Sequence, residues 1–311
     1  MNIWKSGIMG VVVGDALGCP VQFESRETVA KHPVMGMRGY GTFDLPPGSW
    51  TDDSSLTLAL LESIRRTGCI DYTDIMDNYV KWLDGGEFTP YGYAYDIGRG
   101  TMSAINRYKR YHKPHKASNI DERSNGNGSL MRIMPAVLYC IDRKLPANEA
   151  IDIIHKVGGL THAHIRSNIA CGLYYFMASS ILNGDGTLTE RLQSGLNMGF
   201  AFYERYLADH ENIDYYDRLR NLSSFIALPE DSIHSSGYVV DALEAAVWSL
   251  VNSASFKETL LKAVNLGDDT DTVGAIAGGL AGVYYGYDAI PEDWLAAIQR
   301  REWIEGLCES K

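Results

Sequence analysis

The chain has 311 residues, 45% of them apolar and 11% aromatic, which supplies a real hydrophobic core and excludes global disorder. A net charge of −11 excludes a general nucleic-acid binder, which needs a basic footprint, and suits a site that holds cations. Five scattered cysteines without any CxxC spacing read as reduced and mostly buried. With no signal-like N-terminus and no apolar stretch of membrane-spanning length, they point to a cytoplasmic protein with no membrane partner.

In chain order, Val11-Val12-Val13 and Gly14-Asp15-Ala16-Leu17-Gly18 predict a small-residue-rich helix in which the charge of Asp15 needs a buried partner. Gln22-Phe23-Glu24 follows, and nothing local decides whether Glu24 is a surface carboxylate. Trp50-Thr51-Asp52-Asp53-Ser54-Ser55 then opens a run in which Leu56, Leu58, Ala59, Leu60, Leu61 and Ile64 are apolar almost all round, as in a helix buried on most sides. The stretch from Tyr91 to Thr101 reads as a loop whose tyrosines either stack a flat ligand or pack.

Ser124-Asn125-Gly126-Asn127-Gly128-Ser129 is a turn ahead of a helix-like start at Leu130, which Pro135 is expected to interrupt or kink. Such a turn either binds phosphate through its backbone or is simply tight. Thr161-His162-Ala163-His164 precedes the core-helix pattern Ile165, Ile169, Ala170, Leu173 and Met177. There a capping Thr161 and a histidine in a cleft are favoured over zinc. Val239 to Leu250 repeats the core pattern, and Gly267-Asp268-Asp269-Thr270-Asp271-Thr272 opens another along Val273, Ile276, Ala277 and Leu280. In that last segment Gly278, Gly279 and Gly282 let a neighbouring backbone approach closely. No sustained period-2 alternation occurs, so the chain is expected to form an all-α single domain over residues 1–311.

Each acidic cluster alone reads as a helix N-terminus, since Asp, Ser and Thr cap helices and carboxylates complement the dipole. Capping needs one such residue, however, and here hydroxyl and carboxylate groups recur as a block, twice. Brought together they would form an oxygen-lined centre for Mg²⁺, Mn²⁺ or Ca²⁺, because so many carboxylates cannot all stay ionised at close range without a cation.

Taken in order, Gly14-Asp15-Ala16-Leu17-Gly18, Thr51-Asp52-Asp53, Gly126 to Arg132, Thr161-His162 and Gly267 to Thr272 resemble the ADP-ribosylglycohydrolase family from about Ile3 to about Tyr287. The resemblance implies a compact orthogonal helical bundle with a central binuclear metal cleft holding two Mg²⁺ or Mn²⁺ ions. It further implies hydrolysis of the bond between ADP-ribose and a modified acceptor, with ADP-ribose as product. Carried over by position, it makes Thr51, Asp52, Asp53, Asp269, Asp271 and Thr272 metal ligands and leaves Asp268 out. Glu24 and Asp53 become the acid/base candidates, and Gly126, Asn127, Gly128, Ser129 and His162 the substrate-binding set. Where some relatives carry an aromatic residue for adenine this chain has Asn125, so adenine recognition is expected elsewhere or looser. The expected partner is an ADP-ribosylated protein, first ADP-ribosylarginine. O-linked serine conjugates, a small conjugate such as O-acetyl-ADP-ribose, and a non-catalytic ADP-ribose binder on the same scaffold are the alternatives.

Overall fold

Twelve helices of eight or more residues carry the fold in the computed structural model, which describes residues 2–206 and 211–309. They are α1 (Ile3–Gly18), α2 (Asp52–Thr67), α3 (Tyr72–Gly85), α4 (Arg99–Tyr111), α5 (Met134–Asp142), α6 (Ala147–Gly158), α7 (Ile165–Asn183), α8 (Leu188–Tyr206), α9 (Val239–Val251), α10 (Phe256–Val264), α11 (Thr270–Tyr285) and α12 (Arg301–Cys308). The described residues contain no strand; a single isolated bridge joins Gly126 to Tyr238. The all-α expectation is therefore borne out. Among these residues no helix is long and apolar enough to cross a membrane.

The axis of the molecule is the pair α1 and α11, packed backbone to backbone. A methyl group on Gly10 would stand 2.1 Å from the Gly278 carbonyl oxygen, and one on Gly14 2.0 Å from that of Gly274. Glycine costs helix stability, roughly 1 kcal/mol per residue, and here that cost is offset by the close approach it permits. The expected glycine seam of α11 thus meets a matching seam on α1, which the spacing alone did not identify. Around this pair pack α9, α10, α2 and α5, while α7 is tied to α11 by the Tyr174 hydroxyl, which donates to the Ile276 carbonyl at 3.0 Å.

Helix α2 is buried as its pattern predicts: Leu56, Leu58, Leu60 and Leu61 are wholly inaccessible, each contributing about 1.5–3 kcal/mol by burial. It ends at Gly68 in the left-handed conformation, φ +73°, where a side chain would be strained. Because α1 and α11 run in contact along their length and α2 starts beside them, the first turns of α2 and α11 are held together near Asp15.

Two local expectations are corrected. Pro135 does not break a helix begun at Leu130; it occupies the first turn of α5, which starts at Met134, where a missing N–H costs nothing. Arg99, Gly100 and Thr101 belong to the first turn of α4 rather than to the preceding loop.

Candidate active site

The two acidic clusters, joined by a hydrogen bond between Thr51 and Asp271, 220 positions apart, meet at the N-terminal ends of α2 and α11. Thr51 is the N-cap of α2, its hydroxyl accepting from the Asp53 N–H at 3.4 Å. Asp269 is in the same position on α11, but its side chain makes no capping bond; it accepts instead from the Asn127 amide at 2.7 Å. Capping thus explains part of the first cluster and none of the carboxylate placement in the second.

Asp15 supplies the frame. One of its oxygens accepts from the Thr51 N–H and hydroxyl, each at 3.0 Å, and the other from the Ser54 N–H and hydroxyl at 2.9 and 2.5 Å. These are the partners its burial demands. The Thr51 hydroxyl also lies 3.3 Å from Asp53 Oδ2 and 3.2 Å from Asp271 Oδ2, so one hydrogen faces three carboxylates. Thr272 adds a second hydroxyl, 3.3 Å from Asp53 Oδ2. Asp53 Oδ1 and Asp271 Oδ1 are buried with no hydrogen-bond partner at all.

Burial is the main force on every one of these acids. It raises the pKa values of Asp52, Asp53 and Asp271 well above the ordinary carboxylate range, and neighbouring carboxylates push each further. Asp15, eased by its hydrogen bonds from Ser54 and Thr51, is pushed up to about 6. Asp96 and Asp269 are raised by burial too, with the Gln22 amide working against the shift in both. Among the described residues no Lys, Arg or His forms an ion pair with any of these six aspartates.

An all-oxygen set with orphaned carboxylate oxygens and no counter-charge has the donor chemistry that Mg²⁺ or Mn²⁺ requires. No group of three His, Cys, Asp or Glu among the described residues is arranged so that it could hold a metal ion; the threonine hydroxyls belong to the donor set as much as the acids do. The residues fit a hard divalent cation by donor type, and the two orphaned oxygens are the specific observation behind that fit.

Above this floor opens a cavity of about 830 Å³. Asp52, Asp53, Asp269, Thr272, Asp96 and Gln22 line one side. A second part of the lining, the wall, is Gly126, Asn127, Gly128 and His162, joined to the acids by the Asn127–Asp269 hydrogen bond, with the exposed Arg99, Gly100 and Arg123 at the rim. The Gly126–Gly128 turn is fixed by backbone pairing, Asn127 N–H to the Gly237 carbonyl and Val239 N–H to that of Asn125. His162 packs against it so tightly that a methyl group on Gly128 would stand 2.5 Å from the ring Cε1. Burial and the Arg132 guanidinium push the His162 pKa down to about 3, so the ring is neutral. The capping role expected of Thr161 falls to His164, whose Nδ1 accepts from the Arg166 N–H at 3.2 Å.

Of the residues singled out from sequence, Asp52, Asp53, Asp269, Thr272, Gly126, Asn127, Gly128 and His162 border the cavity, while Thr51 and Asp271 lie directly beneath its floor. Ser129 is fully buried behind the turn, within 3.6 Å of the Cys171 sulfur. The Glu24 side chain is absent from the lining, where its loop presents Gln22 and Phe23; Glu24 instead contributes its carbonyl to the Asp268 N–H. Asp268 is exposed, with φ +60°. Asp96 and Gln22 were missed as site residues: Asp96 is a lone acid in a segment read for its tyrosines, and in Gln22-Phe23-Glu24 the acid rather than the amide was taken as the candidate.

The chain matches the ADP-ribosylglycohydrolase family over residues 4–310. It is 32% identical over 306 residues to the ADP-ribosylarginine hydrolase Tri1 of Serratia proteamaculans (strain 568), an alignment covering 98% of this chain and 77% of that one. It is 29% identical over 295 residues to the ADP-ribosyl-[dinitrogen reductase] glycohydrolase of Rhodospirillum rubrum, covering 94% and 89%. A solved structure described as an ADP-ribosylglycohydrolase-related protein complex superposes with a TM-score of 0.79 at 32% identity, covering 99% of this chain and 95% of that one.

Proposed function

The chain belongs to the ADP-ribosylglycohydrolase family, and on that premise we propose that it is a Mg²⁺- or Mn²⁺-dependent hydrolase of ADP-ribosylarginine on protein, acting in the cytoplasm. The observation that carries the reading is the floor of converging carboxylates, two of whose oxygens are buried without partners, beneath a cavity walled by the Gly126–Gly128 turn. Arginine is favoured as the acceptor because Asp52 and Asp96 line the cavity, and a guanidino group is the cationic leaving group such acids complement. The name of the Serratia relative supports the same choice. Five free cysteines, four of them buried, suit a reducing compartment.

Thr51, Asp52, Asp53, Asp269, Asp271 and Thr272 would hold the cations, which when bound supply a template for the ribose hydroxyls and a lowered pKa for water. The chain's own residues do the rest. The Gly126–Gly128 turn lets the ligand approach the backbone, while Arg99 and Arg123 at the rim offer positive charge to a diphosphate. Asn127 holds Asp269 in place by its amide bond. Asp53 takes the acid/base role, since it lines the cavity with one oxygen, Oδ1, left unpartnered. Glu24 is left outside the reacting atoms. Cleavage at the anomeric carbon develops oxocarbenium character, and the neighbouring carboxylates stabilise that positive charge.

The test is release of ADP-ribose from an arginine-ADP-ribosylated protein with Mg²⁺ or Mn²⁺, run beside a serine-ADP-ribosylated peptide. Faster turnover of the arginine conjugate is expected. Turnover of the serine conjugate alone would overturn the acceptor, and turnover undiminished by a chelator would overturn the metal.

A further inference from the structure

Arg132 is wholly buried, yet among the described residues no carboxylate pairs with it. Nη1 of its guanidinium donates to the Gly128 carbonyl at 3.0 Å; Nη2 faces the Val157 and Gly158 carbonyls at the C-terminal end of α6, each at 3.4 Å, and the Thr161 hydroxyl at 2.8 Å, while Nε has no partner. The same hydroxyl lies 2.8 Å from Nδ1 of His162. The opposite nitrogen, Nε2, is the edge of the ring nearest Gly100 and the cavity.

A guanidinium has donors and no acceptor, so towards Arg132 the Thr161 oxygen acts as acceptor. Its single hydrogen is then free to point at Nδ1. Were Nδ1 itself protonated, the hydroxyl would receive two donors and its own hydrogen would have no acceptor in this buried corner, where its hydrogen bonds run to Arg132 and His162. Burial and the nearby positive charge also disfavour the doubly protonated ring.

We infer that Arg132 acts through Thr161 to lock His162 as the neutral tautomer protonated on Nε2, so that the ring presents a fixed N–H donor to an acceptor oxygen of the bound ligand. Arg132 and Thr161 are positioning residues in this arrangement, and His162 is a hydrogen-bond donor rather than a base. The identity of the ligand, an ADP-ribose unit offering ribose and phosphate oxygens, rests on the function proposed above; the tautomer does not.

The two are separated by reading the imidazole nitrogens directly. In the full-length protein labelled with ¹⁵N-histidine, the His162 signals are assigned among the eight histidines by their loss in His162→Gln. They should show a protonated Nε2 and an unprotonated, hydrogen-bonded Nδ1 at neutral pH. Thr161→Val keeps the carbonyl contacts of Arg132 and removes the relay; it should shift the His162 nitrogens towards a tautomer mixture and weaken ADP-ribose binding about tenfold, the scale of one hydrogen bond. Thr161→Ser should restore both. A protonated Nδ1 in the wild-type protein overturns the inference, and so does an imidazolium at neutral pH or a Thr161→Val spectrum identical to wild type. If the wild-type nitrogens behave as expected but ADP-ribose does not bind, the lock stands and the proposed ligand falls.

Discussion

The acidic floor of the cavity and the wall that adjoins it meet opposite electrostatic problems in opposite ways. The floor gathers six aspartates that have no ion-pair partner among the described residues, leaves two carboxylate oxygens orphaned and asks one threonine hydrogen to serve three acids. In the wall, Arg132 is a lone buried cation, but its charge is met by carbonyls, by the negative end of α6 and by the face of Tyr79, 5.3 Å away. There the cation is surrounded by acceptors, with Arg132 Nε the guanidinium nitrogen left without a partner, whereas in the floor two carboxylate oxygens lack partners and like charges crowd one another. Buried charge alone therefore does not mark a reactive site; buried like charges crowded together without a counter-charge do.

The sharpest way to break this contrast is to remove one acid. Asp53→Ala or Asp271→Ala should lower kcat/KM by about a thousandfold or more, roughly 4 kcal/mol of transition-state stabilisation. The metal-free protein should be no less stable, because one uncompensated buried carboxylate has gone. Melting curves and single-turnover assays on the same samples check both. Retained activity would return the clusters to the status of helix caps.

The next effect is smaller and needs no mutation. Saturating the floor with Mg²⁺ or Mn²⁺ at a hundred times Kd should stabilise the fold by about 2.7 kcal/mol by mass action, a rise of several degrees in Tm that a chelator reverses. Thr161→Val should keep this shift and Asp53→Ala should lose most of it. A wall variant that abolished the shift would show that the two sides are not independent. Smaller again is Gly128→Ala, whose methyl group would meet the His162 ring at 2.5 Å. It should displace the ring and weaken ADP-ribose binding by about tenfold, read by calorimetry, with the metal-induced shift intact.

The same asymmetry decides what the sequence discloses. The floor was legible because its donors come as blocks, Thr51-Asp52-Asp53 and Asp269 to Thr272, and because redundancy of that kind exceeds what capping needs. The helices were legible because burial writes a 3.6-residue period into α7, α9 and α11 and makes α2 apolar almost all round. The wall was legible only in part: a Gly-Asn-Gly turn and a histidine stand out, but the Arg132 link to Thr161 spans 29 positions and leaves no local pattern. Asp96 reaches the floor from a loop whose tyrosines drew attention instead. Its neighbour Tyr95 anchors that loop by donating to the Trp50 carbonyl, one residue before the first cluster, a contact that spacing cannot reveal.

The smallest predicted effect concerns the loop between α1 and the floor. Its acidic residue, Glu24, is half-exposed and outside the cavity lining, while Gln22, 4% exposed, reaches the cavity with its carbonyl oxygen unpartnered. A neutral amide among acids can offer that oxygen to a cation or its N–H groups to Asp96 and Asp269 without adding to the repulsion. Gln22→Ala should therefore cost activity on the scale of one hydrogen bond, about tenfold, and Glu24→Gln no more than about twofold, as for a surface substitution. The two measured side by side against ADP-ribosylarginine fix which residue of the loop serves the floor. A hundredfold loss in Glu24→Gln with Gln22→Ala unaffected would mean that the loop turns during catalysis to exchange one for the other, and that the floor is completed by movement as well as by a cation.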